Sequence, residues 1–303
     1  MRMNELTEED FADLCRDARI SAQIAGVESD RSAAARTFWI SVGAAVFAGL
    51  AIFAVSIRFG LPVIGIILAI TVAVIGLVFG RQQLFRVGAA IKVPVLERLA
   101  AMTGATFARR DFAPPAYRDA GPILFGRISD SSFEDLFQAT DAPGRRCAFY
   151  EARLKRGAGR STTLLFTGQV YALQRPRRGG GGIAILPETA LPDFFNAPKG
   201  MERVTFDSDT AFESAFQVYA LRPSDAQSFL SQGLRRTLVE LRRIGRVSVY
   251  VGPEDVFVGI VGKDRFEPGS LFAKMSGRDR VRIMFDDVRN AVATLNRLRA
   301  ALG

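Results

Sequence analysis

Two uncharged apolar runs stand in tandem near the start of the chain and limit its fold more than any other feature. The first, TFWISVGAAVFAGLAIFAVSI, lies between Arg36 and Arg58; the second, FGLPVIGIILAITVAVIGLVFG, lies between Arg58 and Arg81. Each is about 20 residues long, and at about 1.5 Å per residue such a helix matches a bilayer core of about 30 Å. A buried core helix seldom runs so far without a charge, and two in succession are rarer still. The runs therefore predict a transmembrane hairpin over 37–80, with spans at 37–57 and 61–80. Phe38 and Trp39 sit just inside Arg36, where an interfacial aromatic belt belongs. Arg58-Phe59-Gly60 leave almost no room for a loop, and Pro62 is tolerated in a first helical turn.

Small residues recur at four-residue spacing on both runs: Ser41, Ala45 and Gly49 on the first, Gly65, Ala69 and Ala73 on the second. In lipid, helices associate by close packing of such stripes rather than by hydrophobicity, so the hairpin is expected to close along them. Neither run holds an ionisable residue, which argues against a channel or transporter. The hairpin reads as an anchor.

The flanking segments are helical in pattern. Residues 1–36 carry eight acidic and five basic residues. Thr7 and Asp10 stand at capping-box spacing, and Phe11, Leu14, Ala18, Ala22 and Ala25 follow at helical intervals. This polar, acidic start has no signal-peptide character, so both spans are expected in the mature chain. Over 81–104 a connector repeats Leu84, Val87, Ile91, Val95, Leu99 and Met102 near heptad spacing, with Pro94 as a possible kink. The acidic helix and the basic connector are expected to pair as a stalk.

Beyond residue 118 the pattern changes to short strands with turns: PILFGRI, RCAFYEARLK, TTLLFTGQVYAL, GIAILP, MERVTF, FESAFQVYAL, RVSVYV and DVFVGIV, the last two joined by Gly252-Pro253-Glu254-Asp255. Helices are expected from Ser224 and again at the C-terminus, where Phe285, Val288, Val292, Leu295 and Leu298 form a stripe. The fold class that follows is α+β: a two-helix transmembrane hairpin with a helical stalk, then a soluble, mainly antiparallel sheet domain over 118–303 with two or three helices.

Composition removes several chemistries. There is no histidine, which excludes serine–histidine and cysteine–histidine catalysis and any zinc site needing imidazole. The two cysteines, Cys15 and Cys147, form no motif and fit a reducing compartment. No cofactor, metal site or catalytic residue is assigned. Gly157-Ala158-Gly159-Arg160-Ser161-Thr162 lacks the spacing and lysine of a phosphate loop and reads as a hairpin turn. Two segments remain as candidates. Arg175, Arg177 and Arg178 precede a glycine run and could touch anionic lipid. Asp264, Phe266 and Glu267 in GKDRFEPGSLF place two carboxylates around an aromatic in a Gly/Pro-flanked loop. Acid–base work is one reading of that loop; a structural turn anchored by Phe266 is the preferred one.

LLFTGQVYAL, FQVYALRPSDAQSFLSQGLRRTLVELRRIGRVSVYV and above all VFVGIVGKDRFEPGSLF resemble the bacterial family known as domain of unknown function 3137, and GPILFGRISDSSFEDLF resembles the segment opening its soluble domain. The loop RPRRGGGG departs from that pattern. The resemblance implies a membrane protein and carries no catalytic residues with it.

Beyond residue 80 the chain has 34 basic and 23 acidic residues, and near an anionic membrane each basic side chain contributes about 1 kcal/mol. Nucleic acid is not expected as a partner, since no recognition motif accompanies the charge. The expected partner is the bilayer, with room for a protein partner or a homo-oligomer. Arg31, Arg36, Arg81, Arg86 and Lys92 outnumber the loop's Arg58, so both termini are expected to be cytoplasmic at the inner membrane. The reading is a membrane-anchored, cytoplasmic-facing binding or scaffold module of unknown ligand. The alternatives are an enzyme acting on a membrane-proximal anionic substrate through carboxylates and arginines, and a peripheral anionic-lipid sensor.

Overall fold

The computed structural model describes residues 1–303 apart from 1–2, 142–143, 177–178, 189–196, 271 and 273–274; the side chains of 23–24, 27–28, 83–86 and 160 are also outside the description. Leu84 of the expected stalk seam falls among these. The fold is α+β, with long apolar helices near the N-terminus and a large antiparallel sheet with its own helices. The chain divides into two compact units: residues 7–98 with 266–286, and residues 1–6, 99–265 and 287–303.

In the helical unit, Thr7 caps α1 (Glu8–Arg16) through a complete capping box with Asp10. Asp17 then breaks the helix and caps the next, accepting from the N–H groups of Arg19 and Ile20. The sequence pattern shows one N-terminal helix; Asp17 divides it because its carboxylate competes for the backbone N–H groups. From there α2 (Ala18–Arg58) runs without interruption into the first apolar run, and α3 (Pro62–Thr103) continues the second run through Pro94. At about 1.5 Å per residue each helix is about 60 Å long, roughly twice a bilayer core. Both are long and apolar enough to cross a membrane, by length and composition.

The two helices meet along small residues. An added Cβ at Gly76 would fall 2.4 Å from that of Ala45 and 2.9 Å from the Ser41 carbonyl oxygen; one at Gly49 would meet the Ala69 backbone at 3.2 Å. Ser41, Ala45, Gly49 and Ala69 thus lie in the seam the stripes predict, and Gly76 joins them. Near its middle, α2 buries Ala34 and Phe38 in a small cluster that includes Val87 of α3.

The second unit is a nine-stranded, fully antiparallel sheet. Its strands are β1 (Thr106–Ala108), β2 (Asp130–Thr140), β3 (Arg146–Arg156), β4 (Thr163–Gln174), β5 (Ile183–Pro187), β6 (Glu202–Val204), β7 (Phe216–Ala220), β8 (Val247–Val251) and β9 (Asp255–Val261), in the order β1-β2-β3-β4-β9-β8-β5-β7-β6. One face buries Tyr150, Ala152, Leu154, Phe166, Val170 and Phe257 against α4 (Tyr117–Phe125). On the other, Thr294 of the C-terminal helix α8 (Gly277–Leu302) hydrogen-bonds Tyr171. Between β6 and β8 come α5 (Thr210–Glu213), α6 (Pro223–Phe229) and α7 (Gln232–Leu241).

Three segments differ from the sequence expectation. PILFGRI is largely helix: α4 ends at Phe125, and Ile123, Leu124 and Phe125 pack onto the sheet. The strand beside β3 is β2, whose alternation is hidden by a bulge between Glu134 and Phe137 where Asp135 takes φ +57. An extra residue reverses the facing of everything after it, so Phe133 and Phe137 point to opposite faces. The helix expected from Ser224 is two helices, because Ser231 caps a fresh start by accepting from the Leu234 N–H at 3.3 Å.

Candidate functional site

The sheet register builds a polar patch on three neighbouring strands. Ser132 of β2 and Thr167 of β4 both pair with Arg153 of β3; one step along, Glu134 and Gln169 both pair with Glu151. Side chains two apart on a strand share a face, so all six project from one side. Above them passes the chain leaving β9. It can come this close because residue 168 is glycine: with φ +148, an added Cβ would fall 2.1 Å from the Ile260 carbonyl oxygen and 2.7 Å from the Gly262 nitrogen. The Gly262 N–H donates to the Thr167 carbonyl at 3.0 Å, which sets Lys263 and Asp264 over the patch. Apart from Gln169, these residues line a cavity of 380 Å³.

Glu151 is the unusual member. It is buried, its carboxyl accepts the Arg265 N–H at 2.6 Å, and it hydrogen-bonds Asp264. Burial pushes its pKa up to about 11, and the hydrogen bond and negative charge of Asp264 add to the shift. At neutral pH it is a carboxylic acid beside a carboxylate, a pairing that lets one group donate a proton while the other accepts. Glu134 is answered by Arg110 Nη2 at 2.7 Å. Gln169 accepts from the Tyr171 hydroxyl at 2.8 Å, and its buried Nε2 has no partner among the described residues.

Of the loop residues singled out in the sequence, Asp264 lies in this cavity. Phe266 is fully buried at φ +53, and Glu267 forms an ion pair with Lys92, whose side chain is 4% exposed. Asp264 therefore finds its carboxyl partner in Glu151, and Glu267 finds a cation. Arg175 lies half-buried: its guanidinium donates to the carbonyls of Gly180 and, at 2.9 Å, Gly252, and stacks 5.1 Å from the Phe229 ring. It holds the glycine run in place. Arg177 and Arg178 lie outside the described residues. Sequence reasoning missed Glu134, Glu151, Arg153 and Gln169. The available signal was Glu151 itself, a charge at the centre of the otherwise apolar strand core CAFYEA.

The family model for Protein of unknown function (DUF3137) matches residues 164–299. That stretch is similar to the DUF3137 family. The DUF3137 match opens inside β4 and closes in α8, so it contains Thr167, Gln169, Lys263 and Asp264, whereas Glu134, Glu151 and Arg153 precede it. No curated protein matches the chain. Among solved structures, the crystal structure of the mycobacterial trehalose monomycolate transport factor A, TtfA, is similar over 67% of this chain and 96% of that chain, with 8% identity and a TM-score of 0.36.

Proposed function

We propose that the chain is a membrane-anchored binding module, held by the α2–α3 hairpin, whose sheet domain takes a ligand on the cytoplasmic side. One observation supports the anchor: within the two apolar runs, most large side chains outside the small-residue seam are exposed. Phe47 is 76% exposed and Trp39 64%, with Leu50, Val63, Ile67, Ile70 and Ile75 similarly bare. Apolar surface that continuous marks contact with lipid or protein, and a two-helix hairpin offers too little protein to cover it. The basic bias of Arg31, Arg36, Arg81, Arg86 and Lys92 over Arg58 supports a cytoplasmic location for both termini. The test is alkaline extraction of bacterial membranes together with a reporter fused after Gly303. The chain should stay in the pellet and the reporter should work only in the cytoplasm; release into the supernatant, or a reporter active only in the periplasm, overturns the reading.

A second reading, an enzyme, is favoured by the protonated Glu151 beside Asp264 in a cavity with Arg153 and Lys263. It requires Glu151→Gln to leave a folded protein that no longer complements a deletion phenotype.

A further inference from the structure

Several cations in the sheet domain are neutralised by carboxylates. Arg110 pairs with Glu134, Lys155 with Asp130, Arg145 with Asp141 and Arg235 with Asp209. Arg153 and Lys263 differ: both line the 380 Å³ cavity, and neither side chain has a partner among the described residues. Arg153 is flanked in register by the hydroxyl residues Ser132 and Thr167, so two more donors stand beside its guanidinium. The acids of the cavity are already answered. Arg110 binds Glu134, and Glu151 shares a hydrogen bond with Asp264 while accepting from the Arg265 backbone. With Glu134 neutralised and Glu151 uncharged, Arg153 and Lys263 stand against the single charge of Asp264. One positive charge is left over at the lining of this solvent-open cavity, where Arg153, Lys263 and Asp264 are exposed.

We propose that this cavity binds a small oxyanion of single negative charge, a carboxylate or a phosphodiester group, clamped between Arg153 and Lys263 with Ser132 and Thr167 as neutral donors. The guanidinium offers the forked geometry that such groups prefer. Glu151 keeps the charge balance: ionised, it would cancel the surplus and repel the ligand. The proposal names a ligand for the binding module and rests on that reading. The anchor itself is read separately, by membrane extraction of every variant.

The experiment uses the full chain in nanodiscs of phosphatidylcholine. Propionate and dimethyl phosphate serve as soluble probes, followed by ligand-observed NMR, and phosphatidylglycerol nanodiscs serve as the headgroup source, followed by phosphorus NMR. Saturable binding of at least one probe is expected, weakened at least ~10-fold in Arg153→Gln/Lys263→Gln, as for loss of charge-assisted bonds. Lys155→Gln, outside the cavity lining, is the control and should bind within about 3-fold of the parent, a difference under ~1 kcal/mol. Binding of a soluble probe in phosphatidylcholine assigns a free ligand. A response confined to phosphatidylglycerol and lost in the double variant assigns a lipid headgroup. Absence of saturable binding in every arm, or a folded double variant that binds as tightly as the parent, overturns the proposal, while unchanged membrane extraction leaves the anchor standing.

Discussion

The Arg280 guanidinium donates through Nη1 to the carbonyl of Pro268 at 2.9 Å and to that of Ser270 at 3.1 Å. The side chain is completely buried, so this arginine at the start of α8 acts as an internal strut for the loop that follows Phe266. Both bonds leave one nitrogen, so what lysine lacks here is the planar guanidinium that fills the site and holds that nitrogen at a fixed angle. Arg280→Lys is expected to cost about 2 kcal/mol and Arg280→Ala about 3–5 kcal/mol, the loss typical of a buried charged donor. Chemical denaturation of the micellar protein measures both.

Phe266 and Glu267 separate the structural loop from a catalytic one. Removing a fully buried ring costs about 3–5 kcal/mol, and Phe266 is 0% exposed. Glu267 is half-exposed, but its partner Lys92 is buried, so Glu267→Gln is expected to cost about 1–2 kcal/mol. Melting temperatures should rank Phe266→Ala well below Glu267→Gln. The opposite ranking would show that the loop is not anchored by its aromatic.

Glu151 gives the sheet domain a pH signature. Its carboxyl rises from the ordinary 4.5 to about 11 on folding, so the native chain holds a proton that the unfolded chain releases. The stability tied to that proton is fully present below pH 4.5 and is lost progressively as pH rises toward 11, by about 1.4 kcal/mol per unit at most. Glu151→Gln keeps an acceptor for the Arg265 N–H and removes the titration. Its stability should be flatter with pH and should exceed that of the parent at pH 8, as read from urea midpoints across pH 5–9.

The hairpin seam is tested at Gly76. Gly76→Val would drive its side chain into Ala45 and the Ser41 carbonyl, forcing α2 and α3 apart. Gly43→Val is the control, since nothing lies within 4 Å of its added Cβ. Trypsin should cut the Gly76 variant faster than the parent in micelles, and the Gly43 variant at the parental rate.

How legible these features are depends on how local their causes are. The two apolar runs and the residues Ser41, Ala45, Gly49 and Ala69 could be read directly, because charge and size along one helix determine them. Gly76 could not be placed by four-residue spacing from Ala69, since the approach of the second helix selects it. The β2 strand is invisible to alternation because Asp135 inserts a bulge. The same distinction divides the candidate site. Asp264 stands out in a Gly/Pro loop, but Glu151, Arg153 and Thr167 become neighbours only through strand register. Burial of Arg280 depends on carbonyls ten and twelve residues away, which no local pattern announces.

β4 lies near the middle of the sheet, hydrogen-bonded to β3 on one side and β9 on the other. A recombinant fragment cut at Leu164, where the family match begins, would lose β1 to β3 and bare one side of β4 from Leu164 to Leu173. An unprotected strand of that length recruits other chains, so such a fragment should precipitate, whereas one starting before β1 should remain soluble. The inheritable unit that sequence comparison outlines is thus smaller than the piece of polypeptide able to fold.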